Sequence, residues 1–264
     1  MKLPILRGRL AALYALPLAL ALPLGLSANA AGPQQPEGAP LDPEAVSVMS
    51  RAWSFLGELE AFTVGATAWS DVALDDDETI QYESRVELAL RRPDRLQIRV
   101  RGDVQDRGLW INGEEISVLE SGYYATVQAR KTIAETLALL DQRYEVRFPL
   151  QDLALDAASS RSARRVRDVT YLGRHTVGGR PCHHVVWSEP DIDVQVWIDA
   201  RDQPLPRRIV VEHKTLPNTP RYQISLHDWD LAPNLPDDRF RFTPPEGATQ
   251  IEIVSPAAPQ EEPR

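Results

Sequence analysis

Cys182-His183-His184 is the densest run of metal-binding and nucleophilic side chain types in the sequence. Neighbours on a strand point to opposite faces, so Cys182 and His184 share one face and His183 takes the other. Two ligands on a face fall short of the three or four that zinc uses. Free cysteine is also among the most buried residue types, so the expectation is a buried thiol beside ordinary strand histidines, with no metal. Asp75-Asp76-Asp77-Glu78 lacks the glycine and the ligand spacing of a calcium loop and reads as a solvated hairpin tip. Asp191 and Asp193 are spaced to share a strand face, as an acid–base pair would be. Their neighbours Ile192 and Val194 look buried, which turns the aspartates outward and away from any cleft. Arg161, Arg164, Arg165 and Arg167 form a basic loop that can meet an acidic partner or a phosphate headgroup, or simply balance acidic neighbours. The tryptophans Trp53, Trp69, Trp110, Trp187, Trp197 and Trp229 suit a core and an apolar ligand site equally well. No nucleophile elbow, zinc-protease pair, phosphate loop or dinucleotide fingerprint occurs, so nothing requires an enzyme or a cofactor.

These residues must be positioned by strands and two helical segments. Asp42 can cap a helix, Pro43 suits its first position and Glu44 favours the positive end of its dipole. Ala45, Met49, Ala52, Trp53, Leu56 and Leu59 then recur at helical spacing, to about Glu60. Strands are expected over 61–72, 79–91, 94–101, 105–111, 115–120 and 123–129, and again over 166–174, 181–188, 192–199, 206–214 and 221–230. Apolar and polar residues alternate in them, so each has one buried and one wet face. Asn112-Gly113 and Gly178-Gly179 mark hairpin turns. Between the two strand groups, Thr132 and Glu135 form a capping box ahead of Ile133, Leu137, Leu140 and Tyr144, and Pro149 to Leu155 make a short second helical turn.

The chain has 264 residues, 29 basic and 38 acidic side chains and a formal charge of −9. That charge has the wrong sign for binding nucleic acid or for capturing anionic headgroups. Its first 30 residues read as a secretory signal peptide: Lys2, Arg7 and Arg9, an apolar run from Leu10 to Ser27, then Ala28-Asn29-Ala30 as a small-x-small cleavage site. The alternative, an uncleaved membrane anchor, is opposed by Pro17 and Pro23, which interrupt the run, and by the cleavage signal directly after it. A lone cysteine allows no internal disulfide, which suits a bacterial periplasm better than a disulfide-stapled secreted scaffold. The organisation expected is a signal peptide over 1–30, a flexible lead-in over 31–40, one domain over 41–254 and a disordered tail over 255–264. The processed protein is expected to be a monomer with no integral membrane segment.

The order of these elements resembles the LolA/LolB-like fold: a helix, an antiparallel half-barrel, a helical insertion and more strands. The closer resemblance is to a domain-of-unknown-function family of predicted periplasmic proteins within that fold. It rests on Arg91-Arg92-Pro93-Asp94-Arg95-Leu96, Tyr123-Tyr124-Ala125-Thr126-Val127, Phe148-Pro149-Leu150-Gln151-Asp152-Leu153, Pro204-Leu205-Pro206-Arg207-Arg208 and Phe240-Arg241-Phe242-Thr243-Pro244-Pro245. The resemblance implies an incomplete antiparallel barrel of about eleven strands with helical lids, mainly β with α. Relatives of that fold carry lipoproteins through the periplasm or sense lipidic and protein signals. The motifs are turn and strand-edge punctuation, so they specify fold rather than chemistry, and fold alone does not set function.

About eight strands make a barrel that its own side chains fill. Eleven make a wider concavity, which the helices must cover. The expected function is a periplasmic binder or carrier whose apolar cavity takes an acyl chain, a lipid or a lipidated partner. Met49, Trp53, Leu56, Ile98, Val194, Val196 and Ile224 are the candidate cavity residues. Affinity would then come from apolar burial. The alternative is an interaction or envelope-sensing module with a filled barrel and no small ligand; a hydrolase is a third and weaker reading.

Overall fold

The computed structural model describes residues 41–74, 78–103, 106–155 and 168–253. In β1 (Ala61–Ala73) every second residue from Phe62 to Ser70 is buried, as alternation requires of a strand with one face on a core. The sheet continues through β2 (Thr79–Arg91), β3 (Arg95–Gly102), β4 (Asp106–Asn112), β5 (Glu115–Glu120) and β6 (Tyr123–Gln128), each paired antiparallel with the next, and the alternation of burial is interrupted where convex-side residues such as Ala89 and Gln97 are also covered. A second meander runs through β7 (Asp168–Val177), β8 (Arg180–Ser188), β9 (Ile192–Asp199), β10 (Pro206–His213) and β11 (Arg221–Asp230). Strand β11 returns to pair with β1, from Thr63↔Asp230 to Ser70↔Tyr222, and so fuses the two meanders into one open sheet.

The sheet has twelve strands among the described residues, one more than the alternation predicts. The addition is β12 (Thr249–Gln250), which pairs parallel with β6. Two exposed residues carry no alternation to read, so this strand is invisible in the pattern. The turns follow the sequence closely. Gly113 sits at φ +90°, and the Asn112 side chain accepts the backbone N–H groups of Glu114 and Glu115 at 3.0 and 2.8 Å.

Helix α1 (Pro43–Glu58) ends two residues before the predicted Glu60, because the chain turns extended at Leu59 and the Glu60 carbonyl accepts from Arg92 N–H as β1 begins. Its buried stripe is Ala45, Val48, Met49, Ala52, Trp53 and Leu56. Full burial of a side chain such as Leu56 stabilises by about 1.5–3 kcal/mol. Helix α2 (Ile133–Tyr144) is capped by Thr132, whose hydroxyl accepts from Glu135 N–H at 3.2 Å. It leads into a 3₁₀ turn at Gln151–Ala154.

The two helices, this turn and the inward residues of β1–β5 and β7–β11 form one apolar cluster. The sheet is therefore a half-barrel and the helical layer its roof. On the convex side, the segment after β11 crosses β2–β4. It buries Phe240 in a second small cluster with Ala89 and Leu235, and sets Phe242 against Trp110 and Tyr124, with ring centroids 4.8 and 5.3 Å apart.

Candidate functional site

Met49, Trp53, Leu56, Ile98, Val194, Val196 and Ile224 all lie in the cluster between roof and half-barrel, and none is more than 3% exposed. Helix α1 supplies the first three. The others come from cross-strand rows on the concave face: Leu88–Ile98–Leu109 across β2–β4, Ala68–Ile224–Ile209–Val196 across β1, β11, β10 and β9, and Tyr222–Val211–Val194–Trp187 across β11, β10, β9 and β8. Inside this apolar layer the indole Nε1 of Trp53 is enclosed with no hydrogen-bond partner among the described residues.

The space between roof and sheet opens at one end. A cleft there is lined by Ser70, Tyr82 and Tyr222, with Val100, Arg107 and Pro149. Tyr82, Ser70 and Tyr222 are successive partners across β2, β1 and β11. The cleft holds about 50 Å³ of free space, room for a few water-sized groups and not for an acyl chain. Tyr222 is 6% exposed, and its hydroxyl has no hydrogen-bond partner among the described residues. Burial pushes its phenol well up, against the opposing pull of Arg107. The Arg107 guanidinium lies under the Phe148 ring, 4.8 Å from its centroid, and reaches the Arg147 carbonyl at 3.3 Å and the Glu120 carboxylate at 3.0 Å. Burial raises the Glu120 carboxyl although Arg107 draws it down.

Behind the cleft, Arg147 binds Asp141 through two hydrogen bonds of 2.7 and 2.9 Å. Asp152 and Glu189 are buried close by, and both act electrostatically on Arg147. Arg92 fastens the roof from the β2–β3 turn: its guanidinium donates to the carbonyls of Leu56, Leu59 and Ala154 at 3.3, 3.1 and 3.0 Å. Composition and motif reading give none of these polar residues a role, although Arg92 and Asp152 lie in segments that carry the family resemblance. One signal was present: Arg107 alternates with Leu109 and Ile111 and so takes the inward face of β4, where a charge needs partners.

The clusters considered for chemistry lie elsewhere. Cys182 is fully buried on the convex side of β8, with its thiol donating to the Arg180 carbonyl at 3.5 Å; burial pushes that thiol up. The paired residue on β9, Asp199, is bound by Arg201 and Arg207. His183 points inward to the Tyr171 hydroxyl at 2.9 Å. His184 points outward, stacked 4.0 Å from Trp197 and facing His175 Nδ1 to Nδ1 at 2.9 Å. Among the described residues no group of three or more His, Cys, Asp and Glu is placed to hold a metal.

Asp193 accepts from Ser188 and Lys214 at 2.5 and 2.8 Å. Burial pushes its carboxyl up, but these two donors outweigh it and hold it below the usual range. The tryptophans divide between the two sides. Trp53 and Trp187 are core and Trp229 packs on Phe62, whereas Trp69, Trp110 and Trp197 belong to the convex face. The basic loop and most of the acidic hairpin tip fall outside the described residues, as do the signal peptide, lead-in and tail.

Among the described residues no helix is long and apolar enough to cross a membrane. No curated protein matches the chain. Several solved structures do, at low identity. The lipoprotein LppX of Mycobacterium tuberculosis is 13% identical over 73% of this chain and 98% of its own, with a TM-score of 0.46. A LolA superfamily protein of Nitrosomonas europaea is 13% identical over 75% and 97%, with a TM-score of 0.36. LprF of Mycobacterium bovis is 14% identical over 78% and 98%, with a TM-score of 0.38. A family model matches residues 45–254, most of the chain, and by that match the chain belongs to the DUF2092 family of predicted periplasmic proteins.

Proposed function

We propose that this protein is a periplasmic binding or carrier protein for a hydrophobic ligand, an acyl chain, a lipid or a lipidated partner, held between the half-barrel and its helical roof. Met49, Trp53, Leu56, Ile98, Val194, Val196 and Ile224 are the surface such a ligand would meet. The observation that carries this reading is the cover of the concave face. A continuous apolar sheet surface is closed by helices, of which α1 is tied at its two ends by polar contacts at Asp42 and at Arg92, and which enclose an indole N–H without an acceptor among the described residues. Because the free space is small, uptake requires the roof to lift, and the apolar surface uncovered by lifting is what an acyl chain would replace. Each buried methylene contributes about 0.8 kcal/mol, so affinity rises about fourfold per added carbon.

Titration of the processed protein with pyrene-labelled acyl chains of increasing length tests this. Saturable binding that strengthens with length supports it; no saturable binding at any length refutes it. The close packing of the same seven side chains favours a second reading, a filled half-barrel that works through its outer surface as an interaction module. Failure of the titration would select that reading.

A further inference from the structure

We propose that the cleft at the open end of the half-barrel binds the carbonyl of a neutral acyl ester or amide through the Tyr222 hydroxyl, and that its acidic rim selects against free carboxylates. The inference rests on the hydrophobic-ligand reading and adds the chemistry of the ligand's polar end. Tyr222 is more than nine-tenths buried, lines the cleft and has a hydroxyl with no partner among the described residues. Its donor is therefore not committed to any described residue, and a ligand that supplies an acceptor in the cleft gains a buried hydrogen bond. The ordinary acceptor for such a donor, at the head of an apolar tail, is an acyl carbonyl.

Charge decides between carbonyl and carboxylate. Arg107, the basic residue lining the cleft, is already matched by Glu120 at 3.0 Å. Two further acidic residues border the exposed rim, Glu83 and Asp103, the Glu83 carboxylate turned to the convex edge beside Trp69. Glu83 accepts from Trp69 Nε1 at 3.0 Å, and Asp103 accepts from Glu83 N–H at 2.9 Å. With Arg107 neutralised, the rim is negative and repels an anionic head, while a neutral ester meets no such opposition. The apolar contacts of Val100 and Pro149 would then receive the first carbons of the tail.

The experiment compares monolaurin with laurate by calorimetric titration at pH 7.5, below their micelle concentrations. It uses the wild-type protein, Tyr222→Phe and the double variant Glu83→Gln/Asp103→Asn. Monolaurin is expected to bind about tenfold more tightly than laurate. Tyr222→Phe should lose about tenfold for monolaurin, the worth of one buried hydrogen bond, and the double variant should close the gap between the two ligands. Because the hydroxyl is unpartnered, Tyr222→Phe should melt no lower than wild type without ligand. An N-palmitoylated peptide run beside monolaurin separates a free lipid from the acyl chain of a modified protein, and Tyr222-dependent binding of either supports the site.

Laurate binding as well as monolaurin overturns the inference while leaving the hydrophobic-ligand reading intact. So does a Tyr222→Phe variant that binds monolaurin unchanged or melts well below wild type. Failure of both ligands to bind any variant overturns the two together.

Discussion

Asp42 and Tyr171 stand 129 residues apart in the chain and are joined by a 3.0 Å hydrogen bond, the Tyr171 backbone N–H donating to the Asp42 carboxylate. The other carboxylate oxygen accepts from Glu44 N–H at 2.9 Å, so one side chain both starts α1 and pins it to the edge strand β7. The Asp42 N–H completes the joint by donating to the Val169 carbonyl at 3.2 Å. The N–H of Tyr171, then that of Glu44, hold the Asp42 carboxyl below its ordinary value of 3.8.

That depressed value gives the first prediction. The bonds favour the ionised form, so their contribution to stability is present above the ordinary aspartate value and is lost as the pH falls through the lower folded one. Asp42→Ala is expected to melt below wild type at pH 7, with the difference shrinking towards pH 3. Hydrogen exchange at pH 7 should show the first turn of α1 opening faster in the variant. A melting difference unchanged between the two pH values would mean that the carboxylate does not make this joint in solution.

Asp152 behaves in the opposite sense. Burial pushes its carboxyl from 3.8 up to about 7; Arg147 opposes this and the neighbouring carboxylates Asp141 and Glu189 reinforce it. Folding therefore takes up a proton here. The stability it contributes is full below the unfolded aspartate value and is lost as the pH rises through about 7. Asp152→Asn, which keeps the shape and removes the charge, should already be more stable than wild type in urea denaturation at pH 5, because that pH lies above the unfolded aspartate value. Its advantage should grow by about 2–3 kcal/mol between pH 5 and pH 8. Equal destabilisation at both values would show that the ionised carboxylate is the form the fold needs.

The alternation along β9 is tested by adjacent substitutions. Val194 is fully buried in the cluster and Gln195 is half-exposed on the convex face beside His184. Val194→Asp places an unpaired charge in the core and should cost about 3–5 kcal/mol. Gln195→Asp should cost no more than about 1 kcal/mol. Similar denaturation midpoints for the two variants would mean that the inward face has been misassigned.

The parts of this fold that follow local rules are legible in the chain. Asp42 and Thr132 announce their helices, Asn112-Gly113 and Gly178-Gly179 their turns, and Ile192, Val194, Val196 and Ile198 the inward face of β9. The long-range relations are not. Strand β11 alternates as its neighbours do, and nothing in Tyr222, Ile224 and Leu226 says that they will lie beside Ser70, Ala68 and Ala66 of β1. The polar contacts that fasten the roof share this limit: Arg92 lies in a turn motif, and only the fold brings Leu56, Leu59 and Ala154 to it. The cleft escaped notice for a related reason. Tyr222 reads as one more apolar-facing strand residue, and only the fold shows that its hydroxyl has no partner among the described residues.

Native mass spectrometry of the processed protein, prepared from periplasm without detergent, tests the central claim most directly. The account predicts a one-to-one mass increment from an acyl-chain molecule that is lost on denaturation and restored by adding the extracted lipid. A lipid-free native mass that also stays unchanged when acyl lipid is supplied would contradict it.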